Sequence, residues 1–158
     1  SFAKEPPMIF VMFYLTDTYK TNGCLRVIPG SHLKYNKVHK HIKKHHSHYR
    51  LYNNPDDPVF KSAKDEIDVT SNLGDIIIGD GRILHAAHPN LSNEIRTVVT
   101  LWYYPDFDQL PDNIKASSED HHKWPKNWNK KSLNILKNYF PEYKGSTKKI
   151  KWNRIRGA

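Results

Sequence analysis

Residues 8–15 read MIFVMFYL, eight apolar side chains in succession. Side chains alternate between the two faces of a strand, so a run with no polar alternation is a strand that is apolar on both sides. The run is far too short to cross a bilayer, which takes about 20 residues. It therefore predicts a strand buried on both sides.

The rest of the chain is punctuated to match. Residues 17–23 are polar and end in Asn22-Gly23, a strong turn signal. Residues 24–28 (CLRVI) read as a second strand, stopped by Pro29-Gly30. Further strands are predicted at residues 66–70, 75–78, 82–87 and 95–104, the second of these opened by Gly74. Asp75 and Asn90 read as turn formers, and Gly23 and Gly30 as conformational glycines. Short strands separated by turns, with almost no helix between them, predict a β-sandwich or open barrel. The pattern changes at Pro105, and Leu133, Leu136 and Phe140 fall at helical spacing, which predicts one short helix at 132–139. A chain of 158 residues fits one domain. Its strand core would occupy 1–104, with an irregular, basic, histidine-rich insertion at 33–65 and a basic extension at 105–158.

Composition narrows the partners. The apolar fraction is 37%, which is low, but aromatics at 12% compensate because each buries a large area. The net charge of +9 is concentrated in residues 34–50 and 123–156, outside the predicted strands. It reads first as a solvated basic surface and is compatible with an acidic small-molecule partner. Trp124, Trp128 and Trp152 are interleaved with lysine and asparagine, as in single-strand nucleic-acid binders. No RRM or KH motif accompanies them, which argues against a nucleic-acid partner. His39, His41, His45, His46 and His48 could bind a transition metal, but no zinc-motif spacing is present, and a solvated loop is the plainer reading. Cys24 is the only cysteine, which excludes an internal disulfide and fits a reducing, cytoplasmic compartment. Nothing in the sequence fixes the oligomeric state.

The chemistry concentrates in residues 79–96, GDGRILHAAHPNLSNEIR. His85 ends an apolar stretch and Arg96 follows eleven residues later. In a hairpin with Ala87 facing Arg96, His85 faces Val98 and shares a face with Arg96, Thr100 and Trp102. A slip of one residue puts His88 there instead. A non-haem Fe(II) site uses two histidines and one carboxylate and leaves positions open for a chelating 2-oxoacid. The far carboxylate of that acid suits arginine, whose planar fork is permanently charged. Each residue alone has a plainer reading: a hydrogen-bonded core histidine, and an arginine in a surface ion pair.

The flanking residues favour the site. NGCLRVIPGSH (22–32), Gly74-Asp75, and HAAHPN (85–90) followed by Arg96, in that order, resemble the phytanoyl-CoA dioxygenase family. The resemblance extends over residues 8–104. It implies a double-stranded β-helix (jelly-roll) barrel that binds Fe(II), 2-oxoglutarate and O2. Such an enzyme hydroxylates an aliphatic carbon of a small-molecule substrate with release of succinate and CO2. It implies that His85 is the distal iron ligand and that Arg96 holds the far carboxylate of 2-oxoglutarate. It places Asn22, Ser31 and His32 near the pocket mouth, although Ser31 and His32 would equally serve the loop backbone; Trp102 lines the pocket in the hairpin register that pairs Ala87 with Arg96.

The chain also departs from the family. The other two iron ligands belong to a His-x-Asp motif, which these residues lack and which the family spacing places before Ser1. The N-terminal barrel strands are missing with it, which predicts an unpaired edge beside residues 8–15 and a fragment inactive alone. Ala87 stands where some members carry a hydroxyl that binds 2-oxoglutarate, and Thr100 is a candidate substitute. Two other functions stay open. One is a non-catalytic binding module on the same barrel; the other is a halogenase, in which a small residue replaces the carboxylate ligand.

Overall fold

A computed structural model describes residues 4–41, 56–118, 128–140 and 142–148. The described chain is mostly strand. In order it runs β1 (Ile9–Tyr14), β2 (Leu25–Val27), β3 (Ile67–Val69), β4 (Ile76–Asp80), β5 (His85–Ala87), β6 (Val98–Tyr103), α1 (Asp112–Ser118) and α2 (Lys130–Lys137). Short 3-10 helices occupy Lys37–Lys40 and Pro58–Phe60. The chain divides into two compact units, the first containing everything up to Pro105 and the second beginning at Asp106.

The first unit holds two three-stranded antiparallel sheets, ordered β4-β1-β6 and β3-β2-β5. All six residues of β1 pair with β6, and five of them also pair with β4. This corrects the expected unpaired edge beside residues 8–15: β1 is the central strand of its sheet. A long strand apolar on both faces covers the most surface when it is flanked on both sides, and β4 and β6 supply the flanks.

The expected hairpin between the His85 and Arg96 strands does not form either. β5 pairs with β2, setting His85 opposite Val27, and β6 pairs with β1. The connection between them crosses from one sheet to the other. Pro89 has no donor for a ladder there. The Asn90 side chain folds the loop on itself, accepting from Ser92 N–H at 2.9 Å and donating to the Glu94 carbonyl at 2.8 Å. His85 opens β5 and His88 directly follows it, so both adjoin β2 in the second sheet with opposite parity.

Alternation sorts the first sheet. Phe10, Met12 and Tyr14 lie on one face with Gly79, Ile77, Trp102, Thr100 and Val98. Phe10 and Tyr14 are buried on this face, with Cys24, Leu25 and Ile28 buried on the strand opposite and its flanks. Gly79 is required here, because a Cβ would enter the Phe10 ring. The other face is equally apolar, yet Ile76, Ile78, Val99 and Leu101 are exposed on it. So the pattern of the run is realised in the strand, but only one face is covered among the described residues.

In the second unit, α2 matches the predicted helix, shifted by about two residues towards the N-terminus. Asn129 caps it by accepting from Ser132 N–H at 2.8 Å. α1 was not expected. Ser117 and Ser118 weaken its helical signal, but their hydroxyls bond back to the carbonyls of Asn113 and Lys115, each at 2.7 Å. Among the described residues, no helix is long and apolar enough to cross a membrane. His45, His46, His48, Trp124 and Trp152 lie outside the described residues. His39 is described, and its side chain completes a capping box with Asn36 at the start of the first 3-10 helix.

Candidate active site

His85 opens β5, and its position is fixed from β2 and the loop after it. Ile28 N–H donates to the Leu84 carbonyl at 3.0 Å, and Leu84 N–H donates to Ser31 Oγ at 2.8 Å. Ser31 is buried. It therefore anchors the strand that carries His85. His85 Nδ1 lies 2.9 Å from the Ile83 carbonyl. A carbonyl only accepts, so Nδ1 carries the proton and Nε2 keeps its lone pair free for a metal. The His85 ring stands 5.7 Å from Phe10, and Phe10 meets Trp102 edge-on at 5.6 Å. Phe10 thus stands between rings of the two sheets, His85 on β5 and Trp102 on β6.

Arg96 lies just before β6. Its neighbours include the Tyr14 hydroxyl, which hydrogen-bonds both Arg96 and Ser71. The Arg96 Nε is buried and has no hydrogen-bond partner among the described residues. Burying such a donor unpaired costs about 1–3 kcal/mol, more where the group is charged, so the position fits an anion. Gly23 makes room for the arrangement. Its φ is +96°, and a Cβ there would come within 3.1 Å of the His88 carbonyl and 3.6 Å of the Arg96 side chain.

Tyr14 is the residue that sequence reasoning passed over, because it closes an apolar run and reads as core. Parity with Phe10 was the available signal. Its hydroxyl proton points towards Met12 Sδ at 3.7 Å, a weak acceptor that a carboxylate would displace. Burial pushes its acidity well below that of a free phenol, outweighing the opposing pull of Arg96, so it remains a donor at neutral pH. Thr100, the expected hydroxyl, faces Met12, two pairs along the ladder from Tyr14 and on the same face.

The remaining candidates serve the scaffold. Asn22 is buried, accepts from Tyr19 N–H at 2.7 Å and donates to the Asp17 carbonyl at 3.0 Å, which ties the turn before β2. It sits in that turn. His32 is half-buried, and its Nδ1 has no partner among the described residues. It lies near Asp80, which forms a close ion pair with Arg82 at 2.6 Å. Burial raises the Asp80 acid, but the bonds from the Arg82 side chain and N–H outweigh it and hold the carboxyl below its ordinary value.

One histidine does not hold iron, and no group of three metal-ligating side chains among the described residues includes His85. The donor set fits one ligand of a facial site and one anion clamp.

The profile of the family described as Phytanoyl-CoA dioxygenase (PhyH) matches residues 2–98, and the chain belongs to that family. Phytanoyl-CoA dioxygenase 1 of Oryza sativa subsp. japonica is 32% identical over 90 residues, covering 55% of this chain and 29% of the rice protein. HygX from Streptomyces hygroscopicus, solved with nickel and 2-oxoglutarate bound, is 20% identical at a TM-score of 0.46, covering 64% of this chain and 37% of HygX. SnoN, an alpha-ketoglutarate-dependent epimerase from nogalamycin biosynthesis, is 22% identical at a TM-score of 0.42, covering 62% and 33%. The chain thus spans well under half the length of each.

Proposed function

We propose that this chain is the distal part of an Fe(II)- and 2-oxoglutarate-dependent dioxygenase with a double-stranded β-helix core. It contributes His85 as one iron ligand and Arg96 with Tyr14 as the clamp for the far carboxylate of 2-oxoglutarate. The other two ligands come from a His-x-Asp segment preceding Ser1. The reaction is hydroxylation of an aliphatic carbon of a small molecule. The bound iron and 2-oxoglutarate supply the oxidising power, with O2 consumed and succinate and CO2 released.

The observation that carries this reading is the buried, unpaired Nε of Arg96 beside a protonated Tyr14 hydroxyl. A charged donor nitrogen held away from water favours an anion, and a carboxylate accepts from both groups at once. His85 presents Nε2 because its other nitrogen is committed to Ile83. Ser31 keeps the backbone beneath it in place, and the Phe10 ring stands beside the imidazole.

The test uses the full-length polypeptide. It should release succinate from 2-oxoglutarate in an iron-dependent way, and His85→Ala should abolish this. Arg96→Ala should raise the 2-oxoglutarate concentration needed. Undiminished turnover in His85→Ala would remove that residue from the metal. Absence of any iron-dependent turnover in the wild-type protein would favour a binding module.

A further inference from the structure

The second sheet gathers another set of metal-ligand atoms, which the oxygenase reading leaves unused. Cys24 immediately precedes β2, His88 immediately follows β5, and Asp68 is the middle residue of β3. Leu25 pairs with Ala87, and His88 N–H donates to the Cys24 carbonyl at 3.0 Å, so Cys24 and His88 are cross-strand neighbours. Asp68 pairs with Arg26 on the other side of β2, which gives it the same parity as Cys24. His85 pairs with Val27 and has the opposite parity. The thiol sulfur, a carboxylate oxygen and an imidazole nitrogen of the three residues all lie within 4.8 Å of one another.

We propose that Cys24, Asp68 and His88 form a second metal site, distinct from the iron centre, that takes Zn(II) with water as a fourth ligand. The donor set selects the metal. Calcium and magnesium take oxygen ligands, and the iron site of the proposed reaction uses no sulfur. Thiolate with imidazole and one carboxylate suits zinc. Bonds of about 2.0–2.3 Å in a tetrahedron set ligand atoms roughly 3.3–3.8 Å apart. His88 Nε2 and Asp68 Oδ1, now at 2.5 Å, would open by about 1 Å, and the sulfur would close by a similar amount.

Burial suits this adjustment. Cys24 is fully buried and the His88 ring is 9% exposed, whereas the Asp68 carboxylate is 33% exposed and free to shift. That exposed side also gives the ion an entry path and water its place. The ligands have outer partners as well. Val69 N–H donates to the Cys24 sulfur, and Lys20 Nζ lies 3.4 Å from the second Asp68 oxygen. In the metal-free state, burial and the Asp68 charge keep the thiol protonated. On binding, the metal–sulfur bond forms and that proton leaves to solvent.

Cobalt(II) titration of the chelator-stripped full-length protein tests the site. A thiolate-to-cobalt charge-transfer band should appear, saturate by the time this site and the iron centre are both filled, at two equivalents or fewer, and be displaced by zinc. Cys24→Ser should lose the band, and His85→Ala should keep it. His88→Gln should weaken the band's apparent cobalt affinity at least about tenfold with the metal-free melting temperature unchanged. No band in the wild-type protein, a band that survives Cys24→Ser, or one lost in His85→Ala would each overturn the proposal. Should Cys24→Ser fail to fold, His88→Gln decides alone: undiminished affinity refutes the site.

Discussion

Replacing Tyr14 with phenylalanine removes one oxygen from the wall of the proposed 2-oxoglutarate pocket and little else. The ring is buried against its own sheet and keeps its packing. What is lost is the hydroxyl that hydrogen-bonds Arg96 and Ser71 and points its proton at Met12 Sδ. If that proton turns to the far carboxylate when 2-oxoglutarate binds, the variant loses one hydrogen bond to a charged group, worth about 1.5–3 kcal/mol. At about 1.4 kcal/mol per tenfold change, the dissociation constant should rise by roughly one to two orders of magnitude. The assay is calorimetric titration of 2-oxoglutarate into the full-length protein loaded with manganese and kept free of oxygen. Thr100→Val is the comparison, since Thr100 faces Met12 and should leave the affinity within about twofold. The reasoning is refuted if Tyr14→Phe binds as tightly as wild type. A large loss in Thr100→Val instead would assign the hydroxyl to that residue. A thermal melt of each variant separates loss of affinity from loss of fold.

Two further outcomes follow from the scaffold. Ser31→Ala leaves the Leu84 N–H unpaired beside β5 and should destabilise the fold by about 1–3 kcal/mol in urea unfolding; undiminished stability with altered kinetics would instead make Ser31 a substrate contact. The Asp80 carboxyl is held below its ordinary pKa because the bonds from Arg82 outweigh burial, so its contribution is complete above the free-carboxyl range and is lost as pH falls through the folded value. The melting temperature of Asp80→Asn should accordingly fall less than that of wild type between roughly pH 6 and pH 3, and equal slopes would contradict the assignment.

The strands were legible locally because their signals are local. An eight-residue apolar run, an Asn-Gly turn and a Pro-Gly stop each act within a few residues, and β1 and β2 appear where those signals place them. Strand partners are not a local property. Period-two alternation says which side chains share a face, but not which strand lies alongside. The hairpin drawn between residues 82–87 and 95–104 therefore looked natural, and was wrong. The same limit hid Tyr14, whose meaning depends on Arg96 arriving from the far end of the first unit. It also hid Ser31, whose bond to Leu84 spans 53 residues of sequence.

The sequence by itself determined the strand content, the order and spacing of His85 and Arg96, and membership of the family. All of these rest on residue identity and on interactions between near neighbours along the chain. Only the tertiary structure decided that β1 is central, and that His85 and Arg96 stand on different sheets. It alone brought the Tyr14 hydroxyl to the guanidinium and set Cys24, Asp68 and His88 together. Those outcomes depend on which distant strands exchange backbone hydrogen bonds, and the packing of the whole domain makes that choice.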